Sequence, residues 1–303
     1  MTMHPEQLTI PTDLVQRLVE DHFPQYRALP ISALDAGGTT NAIFRIGASM
    51  TARFPLRKAD PFAALNSLRA EQDAMREFGA HAKVAAPLPL GTGRPGQGYP
   101  MPWSLQSWLD GDVATPETHA ATVSLAEDIA ALIAGLRGAE LRGRSFSGTG
   151  RGGNLPDHDR WMAECLKNSV GLLDVERLRS LWARLRLLPE AGPLRMSHKD
   201  LIPANLLVRG GRLSGVLDTG GFAPADPALD LVAAWHLFDG ACRDVVRTRL
   251  RCSEIEWLRG AAWAYQQAMG LVWYYHETNP GMAALGRTTL TRLLGDAEIT
   301  AGI

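Results

Sequence analysis

The stretch from Met196 to Leu231 constrains this chain more than any other. It opens with Met-Ser-His-Lys-Asp-Leu-Ile-Pro-Ala-Asn, runs into the apolar Leu206-Leu207-Val208, turns at Gly210-Gly211 and returns through Ser214 to Leu217 before reaching Asp218. Two apolar runs joined by a Gly-Gly turn predict a β-hairpin, since paired glycines tolerate the positive φ angles of a tight turn. Asp200 and Asn205 precede the first strand and Asp218 follows the second, so the hairpin gathers two carboxylates and a carboxamide at one mouth. Oxygen-bearing side chains converging at strand ends suit a hard divalent cation. Mg²⁺ takes one or two carboxylates and completes its octahedron with water and phosphate oxygens.

The ordered set His198-x-Asp200-x-x-x-x-Asn205, Val216-Leu217-Asp218 and Asp226-Pro227-Ala228-x-Asp230-Leu231 resembles the catalytic core of the aminoglycoside phosphotransferase family, which has a protein-kinase-like fold and includes antibiotic and choline kinases. The resemblance implies an α+β, bilobal fold with an antiparallel-sheet N-terminal lobe and a mostly helical C-terminal lobe. It also implies roles. Asp200 is the catalytic carboxylate that orients and deprotonates an acceptor hydroxyl, while Asn205 and Asp218 hold Mg²⁺ against the phosphates of ATP or GTP. His198 holds the loop by hydrogen bonds. Asp230 braces it by accepting backbone N–H groups, each of which would cost about 1–3 kcal/mol if buried unpaired.

A lone His-x-Asp is common, and the bland reading makes His198 a loop residue and Asp218 a turn former. The fixed order, with strand, turn and strand between its halves, favours the kinase-like reading. Two departures stand out. Lys199 replaces the small residue usual in the family, and Thr219-Gly220-Gly221 replaces the more usual aromatic-Gly after the second carboxylate.

At 303 residues and 46% hydrophobic content the chain can bury a large core, as one large domain or two lobes. A formal charge of -1 leaves no basic footprint for nucleic acid. Cys165, Cys242 and Cys252 are too sparse for a disulfide scaffold, so a reducing cytoplasm is the expected setting. The N-terminal Met-Thr-Met-His-Pro-Glu-Gln lacks the basic and apolar regions of a signal peptide, and runs such as 232–235 and 271–275 are too short to span a bilayer. Neither a nucleic acid nor a membrane is therefore expected as partner, and the sequence carries no sign of oligomeric state.

By the resemblance, residues 1–109 form the nucleotide-binding lobe with its linker, and residues 110–303 the helical lobe of catalysis and substrate. Thr12 can cap a helix to about Phe23. Strands over 31–34, 41–46 and 50–55 then form a meander. Arg53 lies on its third strand, opposite in direction to Ala52 and Phe54. The family carries a phosphate-binding lysine or arginine there; the bland alternative is a surface arginine. Gly38, Thr39 and Thr40 sit in the first turn, which reads equally as a phosphate loop or a plain hairpin turn. Phe62 to Phe78 predicts a helix, and the resemblance pairs its Glu71 with Arg53, against the alternative of an exposed helical glutamate. Strands are expected over 84–90 and 99–108. Between them Gly91-x-Gly93-x-x-Gly96 matches a dinucleotide fingerprint in letters, but no helix can follow it through Pro100 and Pro102.

Gln106 and Trp108 belong to a segment similar to the family's interlobe linker, whose backbone meets the purine. From Thr115 onward the pattern is helical, with one long helix to Gly138. Arg142, Arg144 and Arg151 fall in a Gly-rich loop and read as solvated charges. The acceptor stays open between a cationic aminoglycoside, for which Asp239, Glu254, Glu256 and Glu277 are available, and a bulky apolar alcohol such as a macrolide, for which Trp257, Trp263, Trp273, Tyr274 and Tyr275 could line a pocket. The expected activity is transfer of a γ-phosphate from ATP or GTP to a small-molecule hydroxyl. The alternatives are a metabolite kinase of the same fold acting on choline, homoserine or a sugar, and a nucleotide-binding module without catalysis.

Overall fold

A computed structural model describes residues 7–34 and 40–301. It starts with helix α1, Thr12–His22, whose apolar face of Leu14, Val15, Leu18 and Val19 is buried. The N-cap is Pro11 with no side-chain cap bond, so Thr12 begins the helix without capping it. Strands β1 (Ile31–Leu34), β2 (Asn41–Ile46) and β3 (Met50–Pro55) form the expected meander, and helix α2 (Pro61–His81) follows, capped by Asp60. Strands β4 (Pro89–Gly93) and β5 (Trp103–Ser107) complete a five-stranded antiparallel sheet in the order β1-β2-β3-β5-β4.

Both later strands start further along the chain than the pattern of 84–90 and 99–108 suggests. Pro87 and Pro89 donate no ladder hydrogen bond, and β4 is accordingly an edge strand. The first two glycines of the false dinucleotide fingerprint, Gly91 and Gly93, lie in this strand and serve packing. A Cβ on Gly93 would sit 2.0 Å from the Trp103 indole. That indole stacks on Phe54 at 4.7 Å between ring centroids, and both rings are fully buried in the apolar cluster beneath the sheet. Burial of rings this large contributes about 1.5–3 kcal/mol each.

The rest of the chain is mostly helical. It contains strand β6 (Asp112–Val113), helices α3 (Pro116–His119), α4 (Val123–Arg137), α5 (Asp159–Asn168) and α6 (Val175–Leu185), and strands β7 (Arg195–Ser197), β8 (Leu206–Arg209), β9 (Arg212–Val216) and β10 (Ala223–Ala225). Helices α7 (Val232–Leu237), α8 (Gly240–Leu250), α9 (Glu254–Tyr274), α10 (Pro280–Gly295) and α11 (Ala297–Thr300) complete it. The single long helix expected after Thr115 is two, α3 and α4. Helix α8 was not foreseen, because its charged residues interrupt the apolar period.

The predicted hairpin is present as β8 and β9, joined by Gly210 and Gly211 at φ 57° and 73°. Strand β6 adds to its outer side. A large apolar core surrounds α9, in which Trp263 and Tyr265 are fully buried. Within it Asp226 accepts hydrogen bonds from Arg259, from Trp263 Nε1 at 2.9 Å and from the Ala228 N–H at 2.9 Å. The Asp226 N–H donates to the Gly152 carbonyl at 2.8 Å, so this buried ion pair anchors the Gly-rich loop beside the hairpin mouth.

Candidate active site

The mouth of the hairpin is closed by the backbone. The Leu217 N–H donates to the Asn205 carbonyl at 2.8 Å, which brings the end of β9 against the turn that opens β8. His198, 1% exposed, spans the same join: the Asp200 N–H donates to its Nδ1 at 3.3 Å, and its Nε2 lies 2.8 Å from the Leu217 carbonyl. An Nδ1 that accepts leaves the ring proton on Nε2, where the carbonyl receives it. One imidazole thus holds the Asp200 and Asp218 halves of the site together.

Asp230 is buried beneath this loop. It accepts from the Ser197 hydroxyl at 2.8 Å, the His198 N–H at 3.0 Å and the Lys199 N–H at 3.2 Å. These bonds fix an unusual backbone, for Lys199 has φ 72°. A side chain in that region costs about 1–2 kcal/mol, the physical reason a small residue suits the position. The Lys199 ammonium lies over the Phe146 ring, and burial, then the Arg151 charge, lowers its pKa.

Asp200 is not bare. Its Oδ1 accepts from Arg151 Nη2 at 2.6 Å and from Gln267 Nε2 at 2.8 Å, while Asn205 donates to its backbone carbonyl at 2.8 Å. Among the described residues, the hydrogen-bond partner of Oδ2 is the Asn205 amide, at 3.5 Å. Arg151, read from sequence as a solvated loop charge, is therefore in the site, and Arg144 from the same loop pairs with Glu77. Gln267 was not foreseen at all. Its signal is a pair of glutamines, Gln266 and Gln267, buried within the mostly apolar α9.

Arg53 reaches the site from β3, but its partner is Asp218 Oδ1 at 3.0 Å and not Glu71. Glu71 faces the same charges from α2 without pairing: burial raises its pKa, the Arg53 charge lowers it, and Asp218 raises it. The turn at Thr219–Gly221 packs against α2 beside Glu71, with Thr219 buried. Asp218 itself has φ 55°. In the first turn, Gly38 and Thr39 lie outside the described residues; Thr40 is exposed, and its carbonyl accepts from the Leu56 N–H.

Gln106 lies on β5, paired with Thr51 of β3. The Ser107 and Trp108 N–H groups donate to the Leu88 and Ser49 carbonyls, so two of the backbone donors expected to meet a purine are already spent. The Trp108 ring carries the Arg45 guanidinium at 4.2 Å, and its Nε1 donates to Asp110.

The donor set fits a hard cation. Among the described residues no group of three or more His, Cys, Asp or Glu could hold a metal. Any ion here would rest on one carboxylate, Asp218, and one carboxamide, Asn205, whose nitrogen is spent on Asp200 and whose oxygen is left to coordinate. So small a protein contribution, completed by phosphate and water, is the Mg²⁺ pattern.

Beside Asp200 a cavity of about 370 Å³ opens, lined among others by Arg151, Trp161, Ile202, Leu271, Tyr274 and Met282. Of the aromatic residues proposed for a pocket, Tyr274 and Tyr275 line it, whereas Trp257 and Trp263 are core and Trp273 packs on Trp161. The acids proposed for a cationic acceptor do not line it. Asp239 caps α8 and Glu256 pairs with Arg137.

Residues 32–263 match the sequence model of a family described as the phosphotransferase enzyme family. Among solved structures, the GDP complex of wild-type aminoglycoside 2'-phosphotransferase-IIIa superposes with a TM-score of 0.70 at 17% identity, covering 93% of this chain and 98% of that one. Macrolide 2'-phosphotransferase MphH from Brachybacterium faecium gives 0.58 at 17% identity over 96% and 98%. The streptomycin-ATP-APH(2")-IIa ternary complex gives 0.57 at 15% identity over 96% and 99%. These likenesses establish the bilobal kinase-like fold. Among curated proteins the sequence finds no significant match.

Proposed function

The chain belongs to the phosphotransferase enzyme family, and on that premise we propose that it moves the γ-phosphoryl group of ATP or GTP to a hydroxyl of a small molecule, an antibiotic-type alcohol. One observation carries the reading: His198 and the Leu217–Asn205 backbone bond bring Asp200, Asn205 and Asp218 to one mouth, with a cavity next to Asp200. Solved proteins of this fold bind GDP or ATP, which supports a nucleotide as donor.

Asp200 is the general base. With Oδ1 held by Arg151 and Gln267, Oδ2 receives the acceptor's proton as the acceptor oxygen attacks phosphorus. Arg53 leaves Asp218 for the phosphates, and Glu71 steadies it there. By the family resemblance, Gly38, Thr39 and Thr40 are the candidate phosphate contacts, and the Gln106 to Trp108 segment flanks the base. Asn205 and Asp218 would hold Mg²⁺, which neutralises charge on the phosphates when bound. Positioning and charge neutralisation supply most of the rate.

The cavity favours an acceptor with an apolar body, of macrolide type, over an aminoglycoside. A polycation would meet an arginine and find Asp200 as the carboxylate among the lining residues. A second reading, a kinase of an acid-bearing metabolite alcohol such as homoserine, has one observation in its favour: Arg151 Nε is buried without a partner among the described residues.

The test is phosphoryl transfer from Mg²⁺-ATP and Mg²⁺-GTP, followed by ³¹P NMR, to macrolides, aminoglycosides, choline, homoserine and sugars. Macrolide phosphorylation supports the first reading, and transfer confined to homoserine supports the second. Aminoglycoside turnover overturns the reading of the cavity. Nucleotide binding with no acceptor phosphorylated leaves a binding module.

A further inference from the structure

The Asp200 carboxylate is tied to the interior of the helical region by a run of hydrogen bonds that continues past Gln267, beyond what the roles above require. Gln267 Nε2 donates to Asp200 Oδ1 at 2.8 Å, Gln267 Oε1 lies 3.0 Å from His236 Nε2, and His236 Nδ1 lies 2.8 Å from the Thr289 hydroxyl. His236 and Thr289 have no exposed surface, and Gln267 is 7% exposed. The three residues stand on α7, α9 and α10, so one carboxylate is braced from three helices.

Chemistry fixes the direction of the chain. A carboxylate only accepts, so Gln267 presents its NH₂ to Asp200 and its carbonyl to the imidazole. The imidazole must then carry its proton on Nε2. Burial pushes His236 down to about 4, so the ring is neutral at about pH 7 and Nδ1 accepts. The Thr289 hydrogen has two acceptors in reach, Nδ1 and the Leu285 carbonyl at 2.9 Å, and a neutral ring with a bare Nδ1 calls it inward. Every donor then points toward Asp200, and aligned donors polarise one another.

We infer that Gln267, His236 and Thr289 are positioning residues for phosphoryl transfer, forming a one-directional chain that, together with Arg151, saturates Asp200 Oδ1 and presents Oδ2 to the acceptor hydroxyl. The inference rests on the function proposed above. Burying three polar side chains for packing alone would carry desolvation costs that apolar residues of the same size avoid. A carboxylate that must hold one rotamer while its partner atom transfers a proton gains from such bracing.

Thr289 gives the discriminating variant, because it neither lines the cavity nor hydrogen-bonds Asp200. Gln267→Leu should lower kcat about 10–100-fold and Thr289→Val about 3–10-fold, with KM for acceptor and nucleotide within about twofold. Thr289→Ser, which keeps the hydroxyl, should restore most of the loss, with melting temperature recorded for each variant. Unchanged kcat in Thr289→Val, a loss that falls on KM, or a serine no better than valine would overturn the chain.

Histidine ring-nitrogen NMR gives a readout independent of any acceptor, with His236 assigned by its loss in His236→Gln. The ring should be neutral with its proton on Nε2, and Asp200→Asn should move its signals. A proton on Nδ1, or indifference to Asp200→Asn, overturns the chain. Should the parent protein phosphorylate no acceptor, the proposed function fails, and the ring signals alone decide whether the chain exists.

Discussion

His236→Gln removes a titratable ring from the centre of the helical region, and its effect on stability follows from the pH dependence of that ring. Burial depresses the His236 pKa from 6.5 to about 4; the Gln267 hydrogen bond opposes the shift, and the charges of Arg151 and Arg292 add to it. Below 6.5 the unfolded chain takes up a proton that the folded ring refuses until about pH 4. The unfolded state therefore binds more protons in that window, and stability falls as pH falls through it. A displacement from 6.5 to about 4 corresponds to about 3 kcal/mol in full. Between about pH 7 and about pH 5 the ring alone should cost the parent about 2 kcal/mol. Urea unfolding at both pH values in parent and variant isolates this share, since carboxylates titrate alike in the two. The pH-dependent loss should be smaller in His236→Gln by about that amount. Parallel pH profiles would refute a neutral, fully enclosed ring.

Asp200→Ala should lower turnover roughly 10²–10⁴-fold with nucleotide affinity nearly intact, read from initial rates and nucleotide titration. Arg259→Leu leaves Asp226 buried without its cation and loosens the Gly152 anchor, so chemical denaturation should show a loss of about 3–5 kcal/mol. Gly93→Ala drives a methyl into the Trp103 indole and should cost about 1–3 kcal/mol by the same measurement, while a chain that tolerates it would show that the β4 edge can move.

Much of this protein is written locally. The β8–β9 hairpin, its Gly210-Gly211 turn, the meander of β1 to β3 and the buried face of α1 each follow from alternation, helical period or turn chemistry between neighbouring stretches of chain. The order of His198, Asp200, Asn205, Asp218, Asp226 and Asp230 is a sequence property, and it points to the family by itself. Element boundaries slipped where local signals competed, as at β4, where two prolines delayed the ladder, and at α8, where charges masked the apolar period.

What the tertiary structure decided are contacts across long stretches of chain. Arg151 meets Asp200 across 49 positions, Gln267 meets it across 67, and Arg53 meets Asp218 across 165. An arginine in a Gly-rich loop reads as solvated until a buried Asp226–Arg259 pair fixes that loop beside the hairpin, and a glutamine in α9 reads as a helix former until the packing of α7 and α10 turns it toward a carboxylate. Sequence period encodes which face of an element is buried. Which polar groups meet there depends on how the faces pack, and only the folded chain specifies that.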